Sequence, residues 1–247
     1  MQRSKHQLNP ALKGFEKFLF DIKEYFLSNN TSIHKARNEL KIINYNDTDI
    51  VVKSFKVPNI INQIVYSFFR DSKAKKSYEY SLKIGDFTPQ PIGYIEFYNN
   101  LSFLKESYFL SEEFKYDFTI REPLLEKDFD DRDGIFRAFA NFTLQLHEAG
   151  IFHNDYSPGN ILIKKDKDGY TFKIVDINRM KFFKLSEDDR AKNFSKLWAD
   201  DDVLLTISQE YTKHYRCDKD FTSKVLYYSN KNKSVKNFKK RLKGKKV

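Results

Sequence analysis

The residues from 133 to 176 constrain the fold most, because three local patterns follow one another there without a break. "DGIFRAFANFTLQLHEA" (133–149) places its apolar residues at helical spacing, and it predicts an amphipathic helix that a glycine closes. The polar loop "FHNDYSPGN" (152–160) comes next. Two short apolar segments on either side of "KDKDGY" then predict a β-hairpin, whose second strand ends at Asp176. From about residue 186 the pattern is helical again, so a polar motif opens a helix-rich second half.

The first half of the chain predicts a sheet with helices beside it. Apolar residues at helical spacing predict one amphipathic helix over 15–28. Strands are expected near 33–36, 39–44 and 49–55, with "NDTD" as a hairpin turn, and two more in "PIGYIEFYN" and "SYFLSEEF". Helices are expected in "NQIVYSFFR" and in "KAKKSYEYSLKI", the latter between an N-cap at Ser72 and a C-cap at Gly85.

These patterns place the chain in the α+β class, with a sheet-rich part followed by a helix-rich part. A length of 247 residues suits one large domain or two lobes. We expect four segments: an N-terminal helical extension (1–29), a sheet-containing lobe (30–114), a mostly helical lobe (115–230) and a basic tail (231–247).

The polar loop and the hairpin together carry a recognisable chemistry. Asp155 and Asn160 flank the tight Ser-Pro-Gly turn, so both side chains are expected to face one cleft, and the hairpin would bring Asn160 beside Asp176. An amide oxygen and a carboxylate are hard ligands that suit Mg²⁺ bound to phosphates. Asp155 is then left to accept a proton from a hydroxyl group. This division of labour is that of kinase-type phosphoryl transfer from ATP.

Kinase chemistry requires two more side chains upstream, and the sequence supplies both in order. "IVVK" places Lys53 on the third predicted strand, in the manner of the V-A-I-K motif whose lysine holds the nucleotide phosphates. "KSYEYS" places Glu79 on the next long helix, where it would hold that lysine. Each feature alone is weak, but the polar residues fall in the required order on the required elements.

Several features of a regulated protein kinase are missing. No glycine lies between Gly14 and Gly85, so the turn at "ARN" is expected to cover the phosphates, through Arg37 unless that residue is a plain surface charge. The second metal motif is "DIN" rather than D-F-G, and no A-P-E follows. Asn154 replaces the arginine of H-R-D, and Ser157 stands where Ser/Thr kinases carry a lysine. These differences favour a compact kinase for small-molecule or glycan hydroxyl groups.

Four segments of the chain together resemble the lipopolysaccharide kinase (Kdo/WaaP) family over roughly residues 30–200. They are "NDTDIVVKSFKVPNIINQIVYSFFRDSKAKKSYEYS", "GDFTPQPIGYIE", "HNDYSPGNILI" and "VDINRMKF". The resemblance implies a protein-kinase-like two-lobed fold, with an antiparallel sheet in the N-lobe and a mostly helical C-lobe. It also implies ATP-dependent phosphorylation of a Kdo or heptose sugar of the lipopolysaccharide inner core.

The same resemblance implies a role for each motif residue. Asp155 would be the catalytic base, Asn160 and Asp176 the Mg²⁺ ligands, and Lys53 with Glu79 the pair that holds the phosphates.

Three apolar residues would line the adenine slot, although all three also suit an ordinary core: Val51, Leu162 and Val175. His153 is expected to brace the loop rather than react, and Met180 to lie in the core. Arg179 and Lys181 are expected to receive an acidic sugar or its phosphates, and a structural role is the alternative for Arg179.

The positive charge is concentrated at the C-terminal end. The formal net charge is +10, and residues 231–247 hold nine Lys or Arg and no acid. This tail is expected to meet phosphate groups of an anionic membrane, with Val235, Phe238 and Leu242 on the side that enters the interface. A solvated end and a nucleic-acid contact are the alternatives, and the near-neutral remainder disfavours nucleic acid. Removing 231–247 is expected to leave turnover on a soluble sugar unchanged.

Other classes are bounded by what the sequence lacks. No apolar run is long enough to cross a bilayer and the N-terminus has no apolar signal core, so we expect a cytoplasmic protein, peripheral at the inner face of the inner membrane. The one cysteine, Cys217, excludes an internal disulfide and a cysteine-built zinc site. The expected partner is a lipid-linked glycan or another sugar. A kinase for another small molecule or a protein, and a nucleotide-binding pseudokinase scaffold, are the alternatives.

Overall fold

The structure, a computed structural model, describes residues 3–29, 32–35, 38–56, 70–217 and 220–242. The chain divides into two units, Met1–Phe114 and Lys115–Val247. In the described part, the strands of the first unit are β1 (Arg3–Leu8), β2 (Ser32–Lys35), β3 (Asn38–Tyr45), β4 (Thr48–Lys56), β5 (Pro91–Tyr98) and β6 (Leu104–Glu112). They form one antiparallel sheet in the order β1-β5-β6-β4-β3-β2.

The hairpin of β3 and β4 is built by its two turn residues. Asn46 and Asp47 have φ angles of 49° and 58°, and the strands meet at the pair Tyr45 and Thr48. Two positive φ angles in a two-residue turn match the right-handed twist of the strands, and Asn and Asp tolerate that conformation. The predicted turn in "NDTD" and the predicted strands on both sides are confirmed. The predicted helix in "NQIVYSFFR" and the residue Arg37 lie outside the described residues.

One face of the sheet is covered by the N-terminal helices α1 (Glu16–Phe20) and α2 (Ile22–Ser28). Ile50 and Val52 of β4 point to this face. They belong to a buried cluster made by Phe18, Leu19, Ile22, Phe26, Ile43, Ile50, Val52, Ile92, Ile95, Phe97, Tyr108 and Leu110. The predicted helix over 15–28 is therefore interrupted at Asp21, but its apolar side is buried as the spacing required. Strand β1 was absent from the prediction, which had assigned 1–29 to a helical extension.

The opposite face of the sheet is covered by α3 (Lys73–Ile84). Ser72 accepts a hydrogen bond from the Lys75 backbone N–H at 3.0 Å, and Gly85 follows the helix with φ of 55°, so the predicted start and end are confirmed. The helix packs on the sheet through a second cluster made by Phe55, Ala74, Tyr78, Tyr94 and Phe109. Because side chains alternate along a strand, Val51 and Lys53 share the face of Phe55.

The second unit is mostly helical. Its helices in the described residues are α4 (Arg121–Leu125), α5 (Arg132–Glu148), α6 (Glu187–Phe194), α7 (Asp201–His214) and α8 (Phe221–Leu242). Its short strands are β7 (Phe118–Thr119), β8 (Ile151–Phe152), β9 (Ile161–Asp166), β10 (Gly169–Ile174) and β11 (Lys181–Phe182). The apolar residues that predicted α5 are all buried, namely Ile135, Phe136, Phe139, Phe142 and Leu146.

Helix α8 continues into the segment that is expected to form a basic tail. It runs without a break through the predicted boundary at 231 as far as Leu242. Its first half is anchored by the buried residues Phe221 and Val225. Beyond the boundary, Asn232 Nδ2 donates to the Ser195 carbonyl and Lys233 Nζ donates to the Ala199 carbonyl, both at 2.7 Å. Once a helix is started, each added residue gains a backbone hydrogen bond, so the anchored half carries the basic half with it.

No helix in the described part of the chain is both long and apolar enough to span a bilayer.

Candidate active site

Helix α5 holds the polar loop by packing against Tyr156. The Tyr156 ring is fully buried and stacks on Phe139, with centroids 5.7 Å apart. Its hydroxyl group lies 2.9 Å from Thr143 Oγ1, which itself donates to the Phe139 carbonyl at 2.9 Å. An amphipathic helix therefore fixes the residue next to Asp155, and the loop gains the rigidity of the core behind it.

His153 ties the loop to the hairpin in one defined tautomer. Its Nδ1 accepts the Asp155 backbone N–H at 3.1 Å, so the ring proton lies on Nε2 and is donated to the Val175 carbonyl at 3.0 Å. The side chain is buried, and burial lowers the pKa of His153 below its usual range, which the Val175 carbonyl and the nearby Asp155 and Asp176 only partly oppose. A neutral imidazole with both nitrogens engaged braces the loop, as predicted.

Asn160 holds Asp155 from the other side. Its Nδ2 donates to the Asp155 carbonyl at 2.8 Å, which leaves Oδ1 as the oxygen of that amide that can meet a cation. Strands β9 and β10 pair Ile161 with Ile174, and the Val175 N–H donates to the Asn160 carbonyl at 2.9 Å. The predicted hairpin is confirmed.

Asp176 and the residues that follow it are held by two asparagines, in contacts that the sequence reasoning missed. The Asp176 backbone is left-handed, with φ of 56° and ψ of 44°, and Asn178 Nδ2 donates to its Oδ1 at 2.9 Å. Asn154 Nδ2 donates to the Arg179 carbonyl. The asparagines of "DIN" and "HND" therefore support the loop where a protein kinase has glycine and arginine. The signal was their position, two residues after Asp176 and one before Asp155.

The donor set suits Mg²⁺ bound through a nucleotide. In the described residues, no group of three or more His, Cys, Asp or Glu side chains could hold a metal ion by itself. Asn160 and Asp176 supply one amide oxygen and one carboxylate at the same end of the hairpin. Mg²⁺ usually takes one or two protein oxygens and completes its octahedron with phosphates and water. The two residues fit such an ion, and their roles as ligands stay a prediction.

Lys53 and Glu79 lie in the first unit. Lys53 Nζ is 5.4 Å from the centre of the Phe55 ring, on the face of the sheet that α3 covers. Glu79 is on α3, and its Oε1 lies 3.7 Å from Lys75 Nζ, one turn earlier in the helix. The structure thus places Lys53 on a strand and Glu79 on a helix, as the sequence predicted. Their pairing around a nucleotide stays a prediction.

The remaining predicted residues differ in exposure. Leu162 is buried on β9, whereas Val51 and Val175 are half-buried, so all three stay predictions for an adenine slot. The side chains of Arg179 and Lys181 are exposed, and the buried Met180 between them confirms its expected place in the core.

A chain of hydrogen bonds runs from Arg190 to the loop that carries Asp155, and the donor and acceptor of each bond can be assigned. Arg190 can only donate, and its Nη1 lies 2.9 Å from the Tyr211 hydroxyl oxygen. That hydroxyl therefore gives its proton to His147 Nδ1 at 2.9 Å, and His147 Nε2 donates to Asn193 Oδ1 at 3.1 Å. Asn193 Nδ2 then donates to the His153 carbonyl at 2.9 Å. Helices α5, α6 and α7 thus hold the loop that carries Asp155.

The neutral state of His147 is essential to this chain. Burial lowers its pKa to about 3, and the positive charge of Arg190 lowers it as well, while the hydrogen bond to Asn193 raises it. A second ring proton would take away the acceptor that the Tyr211 hydroxyl needs.

Comparison with solved structures places the fold. The structure described as "WaaP in complex with acyl carrier protein" aligns with 94% of this chain and 99% of its own, at a TM-score of 0.60 and 15% sequence identity. The protein has a WaaP-like kinase fold. The predicted α+β, two-lobed fold class is therefore confirmed.

The comparison shows a shared fold, and it does not show a shared family or substrate. No family model matches the sequence, and no curated protein matches it significantly. Significant structural matches number 1024 chains, so the fold alone does not select a substrate.

Proposed function

We propose that this protein is an ATP-dependent phosphotransferase that phosphorylates a sugar hydroxyl group, Kdo or heptose, of the lipopolysaccharide inner core. The WaaP-like fold supports a phosphotransferase. The choice of a core sugar rests on the motif resemblance over "HNDYSPGN" and "VDINRM" together with that fold.

One observation carries the proposal. The Asp155 backbone is held at both its N–H and its carbonyl, by His153 at 3.1 Å and by Asn160 at 2.8 Å. Holding both groups limits the backbone motion of one aspartate in an otherwise irregular loop. Such fixing is what general-base catalysis needs, because a proton acceptor must meet the reacting hydroxyl group within hydrogen-bond distance.

The proposed reaction moves one phosphoryl group. The hydroxyl oxygen of the acceptor attacks the γ-phosphorus of ATP while the bond from that phosphorus to the β–γ bridging oxygen breaks, and ADP leaves. Asp155 takes the hydroxyl proton. Asn160 and Asp176 would hold Mg²⁺, which neutralises charge on the phosphates when it is bound. Lys53, positioned by Glu79, would hold the phosphate oxygens.

Mass spectrometry of the core glycan tests the substrate. In cells that lack this protein, the core glycan should be lighter by one phosphate, and purified protein with Mg-ATP should restore that mass. An Asp155→Asn protein should not restore it. If the glycan is unchanged and the protein instead phosphorylates another small molecule or a protein, then that molecule is the acceptor and the core sugar is not. Nucleotide binding without transfer to any acceptor would indicate a scaffold instead.

A further inference from the structure

The segment 195–199 between α6 and α7 has an unusual backbone. Trp198, the one tryptophan of the sequence, is half-buried and has φ of 60°, in the left-handed region. Bulky side chains rarely adopt this conformation, and when they do the strain is often part of a functional site. The segment begins two residues after Asn193, which donates to the His153 carbonyl at 2.9 Å. It is therefore tied to the loop that carries Asp155.

Helix α8 holds this segment in place. Asn232 and Lys233 bond to the carbonyl groups of Ser195 and Ala199, one at each end of the segment. One turn further along α8, Lys236 Nζ lies 4.2 Å from the centre of the Trp198 ring. A lysine ammonium at this distance is attracted to the indole face, so the pair forms a flat aromatic surface with a positive charge upon it.

Two further lysines surround Lys236. Burial lowers the pKa of Lys236, repulsion from Lys196 and Lys240 lowers it further, and attraction to Asp155 raises it. Lys236 thus lies within electrostatic range of the ammonium groups of Lys196 and Lys240 and of the Asp155 carboxylate. Lys236 and Lys240 are also four residues apart on a helix, a spacing at which like charges destabilise the helix.

A second negative charge beside Asp155 would stabilise this arrangement of lysines. On the kinase function proposed above, Asp155 faces the hydroxyl group of the acceptor. A negative group carried by the acceptor next to that hydroxyl would relieve the repulsion among the lysines. The Trp198 ring holds the Lys236 ammonium beside this place, 4.2 Å from the ring centre.

We propose that Lys196, Lys236 and Lys240, with Lys236 held by Trp198, bind an anionic group of the sugar acceptor beside Asp155. The inference rests on the proposed function and extends it to the substrate class. The group is a carboxylate or a phosphate on the sugar. The same lysines set the register of the sugar, so that the hydroxyl group to be phosphorylated meets Asp155.

Trp198 provides a direct measurement of this site without any turnover. Because the sequence has a single tryptophan, its emission, excited where tyrosine does not absorb, reports on segment 195–199 alone. The full-length protein is titrated with Kdo, with the methyl ester of Kdo, with a sugar phosphate and with its neutral parent sugar. We expect Kdo or the sugar phosphate to change the emission at concentrations at least about fivefold lower than the matched neutral sugar. The two anionic probes distinguish carboxylate from phosphate.

Substitutions on α8 assign the effect to particular lysines. Lys236→Met and Lys196→Met should each weaken binding of the anionic probe about five- to tenfold, and Lys236→Arg should retain it. Lys231→Met is the matched control, since it removes the same charge from the same helix but contacts Tyr227, at 3.4 Å. Unchanged thermal unfolding of the variants shows that the fold is kept.

Two results would overturn the site. One is equal response to the charged and neutral sugars. The other is equal loss in Lys236→Met and Lys231→Met, which would indicate general attraction to a basic protein. Calorimetry with Mg-ATP separates this proposal from the kinase function. If the protein binds the nucleotide but its emission does not respond to the anionic sugars, the anion site is refuted and the kinase function is not. If its emission responds to the anionic sugars but it does not bind the nucleotide, the kinase function is refuted and the anion site is not.

Discussion

The position of Asp155 is set by the contacts of its backbone with His153 and Asn160. His153 and Asn160 both lie within the motif, so the sequence could predict that the three belong together. Asn193, which holds the His153 carbonyl, comes forty residues later along the chain. Nothing in its local sequence indicates this contact, because it depends on how α6 packs. The motif residues were predictable, and their support from distant helices was not.

Replacing Asp155 by Asn should abolish transfer while ATP affinity stays nearly unchanged. The substitution keeps the shape of the side chain but removes the proton acceptor, and a general base typically contributes roughly 10²–10⁴-fold. The rate of phosphoryl transfer and the affinity for Mg-ATP are measured on the purified variant. Asp168→Asn, in the exposed turn of the same hairpin, is the control. Retention of more than about a tenth of wild-type turnover would remove Asp155 from the role of base.

Replacing Asp176 by Ala should remove Mg²⁺-dependent nucleotide binding, and Asn160→Ala should weaken it. The reason is that both oxygens lie at one end of the hairpin, where no other acidic cluster in the described residues substitutes for them. Mutation of a residue that only supports a metal ligand typically lowers metal affinity roughly 10–100-fold, and loss of the ligand itself should lower the affinity for Mg-ATP by at least as much. Calorimetry with Mg-ATP measures it, with Asp168→Ala as the control. Unchanged affinity and stoichiometry in Asp176→Ala would place the metal elsewhere.

At the scale of elements, α3 carries Glu79, whose partner in a nucleotide complex is predicted to be Lys53. The structure pairs Glu79 with Lys75 at 3.7 Å, on the helix itself. In the nucleotide-bound state we expect Glu79 to lie within about 4 Å of Lys53 Nζ instead. A structure with a bound ATP analogue provides the distance, and turnover of Lys53→Met against Lys75→Met provides a matched comparison. If Glu79 keeps Lys75 when the nucleotide is bound, and both variants lose activity equally, the assignment of Lys53 fails.

The hydrogen-bond chain through α5, α6 and α7 predicts sensitivity to acid. The unfolded chain binds a proton at His147 below about pH 6.5, whereas the folded chain does so only near its pKa of about 3. The free energy of unfolding should therefore fall as pH falls through this window, by about 1.4 kcal/mol per pH unit for this residue. Urea unfolding followed by Trp198 emission measures the slope. His147→Gln should flatten it by that amount, and an equal slope in both proteins would show that another group titrates.

The elements themselves were predicted where the pattern is local and strong. The apolar spacing of α5, the turn of β3 and β4, and the caps of α3 all follow from residues close in sequence. Strand β1 was missed because "RSKHQL" has one apolar residue in six and shows no alternation. It is a strand because β5 offers it an edge. The end of α8 was missed for a related reason: a lysine-rich composition indicates a solvated segment, and it does not reveal the carbonyl groups to which the helix binds.

At the scale of the whole molecule, the exposed side of α8 is predicted to bind an anionic membrane surface. Val235, Phe238 and Leu242 are 45%, 62% and 71% exposed, on a helix rich in lysine. Replacing all three by Ser should weaken binding to anionic vesicles, because their apolar surface would no longer enter the interface. Each lysine adds about 1 kcal/mol near such a surface, so binding of the wild-type protein should also fade as salt rises. Leu125→Ser, at a site 75% exposed, is the control.

Truncation at residue 230 is not a suitable version of this test. It would also remove Asn232, Lys233 and Lys236, which hold segment 195–199, and this segment is tied to the loop that carries Asp155. If that loop is catalytic as proposed, truncation should reduce turnover. Vesicle flotation of the serine variant separates the two effects. Equal flotation of variant and wild type at low salt would leave α8 as a support of the active site alone.

The pairing of β1 with β5 has a consequence for the order in which the chain folds. The β3–β4 and β5–β6 pairs join strands that are neighbours in sequence, whereas β1 pairs Arg3 with Tyr98. Closing such a long loop costs more entropy than closing a hairpin, so the hairpins are expected to form first and β1 to dock last. A strand that docks after the rate-limiting step contributes little to the speed of folding and much to the slowness of unfolding. Until β1 docks, the edge of β5 can pair with a strand of another chain. Docking of β1 covers that edge and so lowers the tendency of the partly folded protein to aggregate.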